Sequence, residues 1–148
     1  MEKIIFVCHG NICRSPIAEF LFKDEINKRR LNDRFIVISR AVSDEGSGYD
    51  IDFRAKDIMD KNHIPYTSRK AKKISKEEYD DADIIFCMDN SNISYLKRMF
   101  PDEDFDKVKL LIHPQEISDP WYTHNFQLAY MQIHQGIVDY LNGLTKVE

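Results

Sequence analysis

The chain has 148 residues, 43% of them apolar, and a formal net charge of −4, which suits one domain with a real core and leaves too little for two. The mildly negative balance, with no basic block, argues against a nucleic-acid partner, and no apolar run approaches the length of a membrane span, so no membrane association is expected. Cysteines at 8, 13 and 87 form neither a disulfide framework nor a common zinc pattern.

A strand is expected almost at once, in the apolar run Ile4-Ile5-Phe6-Val7. That leaves no room for a signal peptide, and a reducing, cytoplasmic setting is the expectation. A tight loop follows, then a helix over residues 16–30 with Pro16 at its first position and Ile17, Ala18, Leu21 and Phe22 as its apolar stripe. The loop Cys8-His9-Gly10-Asn11-Ile12-Cys13-Arg14-Ser15 thus ends at a helix N-terminus, where free N–H groups and the helix dipole favour an anion. A thiol is a weak nucleophile until it ionises, and a helix N-terminus with a nearby guanidinium favours the thiolate. Loop N–H groups and the Ser15 hydroxyl are further donors for it. Arg14 can grip two phosphoryl oxygens bidentately, which a lysine cannot. Gly10 permits a positive φ and close backbone approach, and Asn11 is the other residue type that tolerates it. Cys8 and Arg14 are the expected catalytic pair, with His9 to Cys13 and Ser15 around the phosphate. Cys13, in the same loop, is either a buried thiol or a partner that traps an oxidised Cys8 as a reversible disulfide.

The run Cys-His-Gly-Asn-Ile-Cys-Arg-Ser-Pro-Ile-Ala-Glu resembles the signature of the low-molecular-weight protein tyrosine phosphatases, and the resemblance extends over essentially the whole chain. It implies one phosphatase-like domain over 1–148.

Phe35-Ile36-Val37-Ile38-Ser39 predicts a second strand, and strand–helix–strand over this length implies a right-handed parallel crossover. The loop over 41–52 leaves the carboxyl end of that strand and should border Cys8, because ligands bind at those ends of open parallel sheets. The resembling family carries a Gly-Asn-Pro element there; this chain has Gly48-Tyr49-Asp50, and Tyr49 is either substrate rim or plain surface. Asp52 caps a helix running to about residue 62. Where the family has His-Gly, this chain has Asn62-His63, so a contact from there to the phosphate loop is not expected. The basic stretch 68–73 reads as a solvated loop, with steering of anionic substrates as the alternative. Ser75-Lys76-Glu77-Glu78 resembles a capping box. Ile84 to Met88 predicts a third strand with Cys87 in the core, and a helix opens after Asp89 and runs to Phe100. Met88-Asp89-x-x-Asn92 also resembles the family, where it supports the fold beside the site, and no chemistry is assigned to it. A fourth strand is expected over 108–113, with His113 at its end either facing the site or at an ordinary loop edge.

Ile117-Ser118-Asp119-Pro120-Trp121-Tyr122 is the second informative stretch. Proline pushes Asp119 to an extended backbone, onto a rigid non-helical loop. A phosphate ester needs a proton for its leaving oxygen, which a carboxylic acid gives, and the same carboxylate can then activate water. In the resembling family an Asp-Pro-aromatic aspartate is the general acid, which points to Asp119. Trp121 and Tyr122 can wall a slot for a phenyl ring. A last helix is expected from about residue 125 to residue 141, with Phe126, Ala129, Tyr130, Ile133 and Ile137 on its buried stripe.

Alternating strands and helices predict a doubly wound α/β fold with a four-stranded parallel sheet and helices on both faces. The resemblance implies a phosphotyrosine phosphatase working through a phosphocysteine, with no metal or cofactor, phosphotyrosine proteins as substrates and a cognate tyrosine kinase as a candidate partner. Rival readings are an arsenate reductase, a protein arginine phosphatase and a non-catalytic phosphate-binding module. Reductases of this kind need further relay cysteines, and only Cys87 lies beyond the loop. Arginine-specific relatives carry Thr where Ile12 stands.

Overall fold

The computed structural model describes residues 1–147. Strand β1 (Glu2–Cys8) leads into helix α1 (Arg14–Lys28), and a 3₁₀ turn at Asn32–Arg34 delivers strand β2 (Phe35–Ala41). Helix α2 (Phe53–Lys61), helix α3 (Lys76–Asp81), strand β3 (Ile84–Cys87), helix α4 (Asn90–Met99) and strand β4 (Val108–Leu110) follow. A single turn, α5 (Pro120–Thr123), and the long helix α6 (Phe126–Val147) complete the order. The sheet has four strands in the order β2-β1-β3-β4, and every pairing is parallel. This is the doubly wound α/β fold that the alternation predicts.

Strand β1 lies centrally, so both its faces are buried. Ile4 and Phe6 point into one apolar cluster with Phe22, Phe86 and the stripe of α6, while Ile5 and Val7 point into the other with Tyr79, Ile85 and Leu96. Each such side chain, fully buried, contributes about 1.5–3 kcal/mol. Helix α1 also gains i,i+4 pairs, Glu19–Lys23, Asp24–Lys28 and Glu25–Arg29, the first of them from a buried glutamate.

Several boundaries differ from expectation. Helix α1 begins at Arg14, so Pro16 is its third residue, still in the turn whose N–H groups have no helical partner. Strand β4 stops at Leu110 rather than residue 113. Leu111 is apolar because it packs into the core, and its N–H bonds back to the Cys87 carbonyl at 2.9 Å. Helix α6 runs past residue 141 to Val147. No helix among the described residues is long and apolar enough to cross a membrane.

The candidate active site

The sheet order places the carboxyl ends of β1 and β3 side by side, and the loops leaving them meet there. A cavity of about 470 Å³ opens at that edge. Cys8, Cys13 and Arg14, all at most 5% exposed, form its buried part. His9, Gly10 and Ile12 line it from the same loop, while Asp119, Trp121 and Tyr122 line it from a segment over a hundred residues away. Tyr49, left open between rim and surface, is on the rim. Asn11 and Ser15, 1% and 0% exposed, lie behind the loop instead.

The loop is held by its carbonyls. Ser43 donates to the His9 carbonyl from its N–H at 3.2 Å and its hydroxyl at 3.0 Å. Arg69 donates to the Asn11 carbonyl, Asp52 N–H to Ile12 at 2.9 Å, and Ile17 N–H to Cys13 at 3.2 Å. The N–H groups of residues 9–13 have no acceptor among the described residues. A loop with its acceptors tied outward and its donors left over is a nest for an anion. Its left-handed residue is Asn11, at φ 60°, and not Gly10, whose φ is unexceptional. The reason is the asparagine side chain, which is bonded on both ends. Its Oδ1 accepts from Lys72 N–H at 3.2 Å, and its Nδ2 donates to Ser15 Oγ at 2.8 Å and Ser39 Oγ at 3.0 Å.

Those bonds fix the direction of a buried chain. The Ser39 hydroxyl donates to Glu19 Oε1 at 2.6 Å, so it receives Asn11 as an acceptor. Ser15 likewise accepts from Asn11, so its own proton is free for the Cys8 Sγ, 3.0 Å away, with the Arg40 carbonyl a longer acceptor at 3.5 Å. Ser15 N–H points at the same sulfur from 3.4 Å. Cys13 lacks such donors. Burial pushes its thiol well up, and the charges of Cys8, Asp52 and Asp119 push the same way. Cys13 is therefore kept as a neutral thiol, and Cys87 is likewise pushed up by burial in the core.

Arg14 is 2% exposed yet charged. Burial opposes the charge, but Cys8, Asp119 and Asp89 outweigh it and raise the guanidinium further. Nη1 donates to Asp89 Oδ2 at 2.7 Å and to the Ile117 carbonyl at 2.8 Å, while Nη2 reaches Asp119 Oδ2 at 3.4 Å. Asp89 also caps α4 by accepting from Asn92 N–H through Oδ1. Its support of the site is thus direct contact with the arginine. Asp119 has the expected extended backbone, φ −83°, but it caps a helical turn rather than sitting in a plain loop. Its Oδ1 accepts from Trp121 N–H at 3.0 Å, leaving Oδ2 towards Arg14.

Other expectations resolve away from the cavity. His113 lines a separate depression with Lys109, Asn90 and Ile93. The Asn62 side chain donates to the Ile58 carbonyl, and His63, at φ 58°, closes α2. The basic stretch 68–73 is more than a solvated loop, since Arg69 and Lys72 both hold Asn11. Sequence reading missed Ser39, Glu19 and Arg69 as parts of the site, and placed Asp89 beside it without its contact to Arg14. Only Asp89 carried a positional signal, at the carboxyl end of a predicted strand beside the first.

A buried cysteine and arginine beside an anion nest, with a carboxylate lining the same cavity, make a site suited to an anion of phosphate size. The profile of the low molecular weight phosphotyrosine protein phosphatases matches residues 3–147, and the chain belongs to that family. The low molecular weight phosphotyrosine protein phosphatase of Sus scrofa is 36% identical over 140 residues, 88% of each chain. The crystal structure of YfkJ from Bacillus subtilis superposes with a TM-score of 0.93 at 29% identity, covering 100% of this chain and 97% of that one. That of a Drosophila arginine phosphatase gives 0.86 at 29% identity, covering 97% and 98%.

Proposed function

We propose that the protein hydrolyses phosphotyrosine in protein substrates in two steps, with residues 1–148 acting as one domain. In the first, the Cys8 thiolate attacks phosphorus in line. A sulfur–phosphorus bond forms, the bond to the tyrosine oxygen breaks, and Asp119 gives that oxygen its proton. Arg14 and the N–H groups of the loop carry the charge on the equatorial oxygens. In the second, Asp119 takes a proton from water as the water oxygen attacks phosphorus, and the thiolate leaves towards the Ser15 hydroxyl. Neither step calls for a metal or cofactor. The observation that carries this reading is the loop itself: its carbonyls are tied from outside, and its N–H groups are left for an anion beside Cys8 and Arg14.

Ile12, Tyr49, Trp121 and Tyr122 line the cavity and favour a flat aromatic ring over a short serine side chain. A relative named for arginine has the same fold, so the fold does not choose between the two leaving groups; the apolar Ile12 beside the phosphate loop favours tyrosine. Thiolate chemistry of this kind belongs in a reducing compartment, which supports a cytoplasmic location, with a tyrosine kinase supplying the substrate.

Turnover of matched peptides carrying phosphotyrosine, phosphoserine or phosphoarginine, without metal, tests the reading. Wild type should release phosphate from phosphotyrosine alone. Cys8→Ser should lower that rate by about 10⁴-fold or more while phosphate still binds. Preference for phosphoarginine would overturn the substrate, and unchanged turnover by Cys8→Ser would overturn the mechanism.

A further inference from the structure

Arg14 is not the only cation joining the two sides of the cavity. Arg54, near the start of α2, donates from Nε to Asp52 Oδ1 and from Nη2 to Asp52 Oδ2, both at 3.0 Å. Burial pushes the Asp52 carboxyl up, but these bonds overcome it and leave the group below the usual carboxylate range. The same Asp52 grips the nucleophile loop, because its N–H donates to the Ile12 carbonyl at 2.9 Å. One side of Arg54 is therefore tied, through one residue, to the loop that carries Cys8.

The other side faces the turn that carries Asp119. The guanidinium centre lies 5.4 Å from the Trp121 ring and 4.9 Å from the Phe126 ring. Nη1 lies 3.3 Å from His124 Nδ1, and a guanidinium only donates, so the imidazole nitrogen accepts. Trp121 and His124 belong to α5 and its exit, and Phe126 opens α6. The turn is anchored at its start, where Ile117 and Pro120 are buried and Ile117 N–H donates to the Met88 carbonyl at 2.8 Å, but its exposed side has fewer contacts. It is four residues long, Trp121 is 50% exposed, and the direct bond from Asp119 to Arg14 is a long 3.4 Å.

We propose that Arg54 is a positioning residue that clamps the acid-bearing turn to the phosphate loop and so sets where Asp119 presents its carboxyl. The proposal rests on the reading of Asp119 as general acid. Lysine cannot replace the arginine, because one ammonium cannot grip both Asp52 oxygens, reach His124 and lay a flat face on Trp121.

Misplacing the acid has a selective consequence. A phenol that leaves as a strong base needs the proton, whereas one that leaves as a stable anion does not. The test is kcat/KM on phenyl phosphate and on 2,4-dinitrophenyl phosphate for wild type, Arg54→Met, Arg54→Lys, His124→Gly and Asp119→Ala. Arg54→Met should lose about tenfold on phenyl phosphate and less than about twofold on the dinitrophenyl ester, a fraction of what general acid catalysis provides. Arg54→Lys should behave alike if Arg54→Met fails to fold. His124→Gly, which removes one acceptor at a left-handed position that glycine suits, should shift the ratio the same way by less. Equal losses on both esters, or no loss on either, would overturn the clamp. If Asp119→Ala leaves the ratio unmoved, the acid reading fails and the clamp falls with it. If Asp119→Ala moves the ratio and the Arg54 variants do not, the clamp alone fails.

Discussion

The loop that carries the thiol and the turn that carries the acid are built on different terms. The first uses consecutive residues between β1 and α1, has Asn11 and Cys13 buried, and is tied by Ser43, Asp52, Arg69 and Lys72 from the segments around it. The second is one helical turn with Pro120 buried but Trp121 50% and Tyr122 76% exposed, and arginines from elsewhere meet its side chains. On the proposed mechanism the Cys8 loop keeps its donors aimed before any charge arrives, and its order is set by the bonds that tie its carbonyls. On the same proposal the Asp119 turn leaves a mouth for a ring to enter, with Trp121 and Tyr122 at the surface.

The largest break in that comparison comes at Arg14, the residue both regions share. Arg14→Lys keeps the charge but loses the fork that meets Asp89, the Ile117 carbonyl and Asp119. We expect kcat/KM on a phosphotyrosyl peptide to fall by about 10²–10³-fold. A fall within tenfold would show that a point charge suffices. Ser39→Ala cuts only the chain behind the thiol, between Asn11 and Glu19. Of the two bonds lost only the one from Asn11 bears on the loop, and at about 1 kcal/mol for it kcat should drop roughly fivefold with the leaving-group dependence unchanged. A changed dependence would mean the two regions are coupled through the core.

The smallest effect on turnover belongs to Tyr79, which touches neither region. Its hydroxyl donates to the Asp104 carbonyl at 2.7 Å, and burial pushes its pKa up to about 12. A pKa raised by folding gives stability that is present below the unfolded value near ~10 and is lost as pH rises through 12. Urea titrations at pH 8, 10, 11 and 12 should show stability falling across that window in wild type and falling less in Tyr79→Phe. Turnover of the variant at neutral pH should match wild type, and a tenfold loss would show that the far cluster supports the site after all.

The same contrast explains what could be read from the chain. Cys8, Arg14 and Ser15 act on one another across seven residues, so their spacing carries their geometry. Asp119 announced itself through the proline and aromatics beside it. Ser39 and Arg69 did not, since Ser39 reaches Asn11 through the pairing of β1 with β2, and Arg69 reaches it from a loop far along the chain. Of the two loop residues read as able to take a positive φ, Gly10 and Asn11, only Asn11 does. Glycine is the cheaper left-handed residue, but Asn11 holds that conformation because the bonds of its amide favour it. Strand β4 was overread for a related reason, as an apolar run records burial and not which backbone groups join a ladder.

The mouth of the cavity contains two glycines that answer to different demands. A Cβ at Gly46 would stand 2.4 Å from the Gly10 carbonyl oxygen, whereas Gly48 has open space but φ +86°. A library randomised at both positions and selected for turnover should return glycine alone at 46, and glycine with some asparagine at 48. Tyr49, between them and α2, is under neither demand and is 67% exposed. The rim is thereby free to drift towards new substrates in steps of single residues, pivoting on one pinned point, without passing through variants whose nucleophile loop is out of shape.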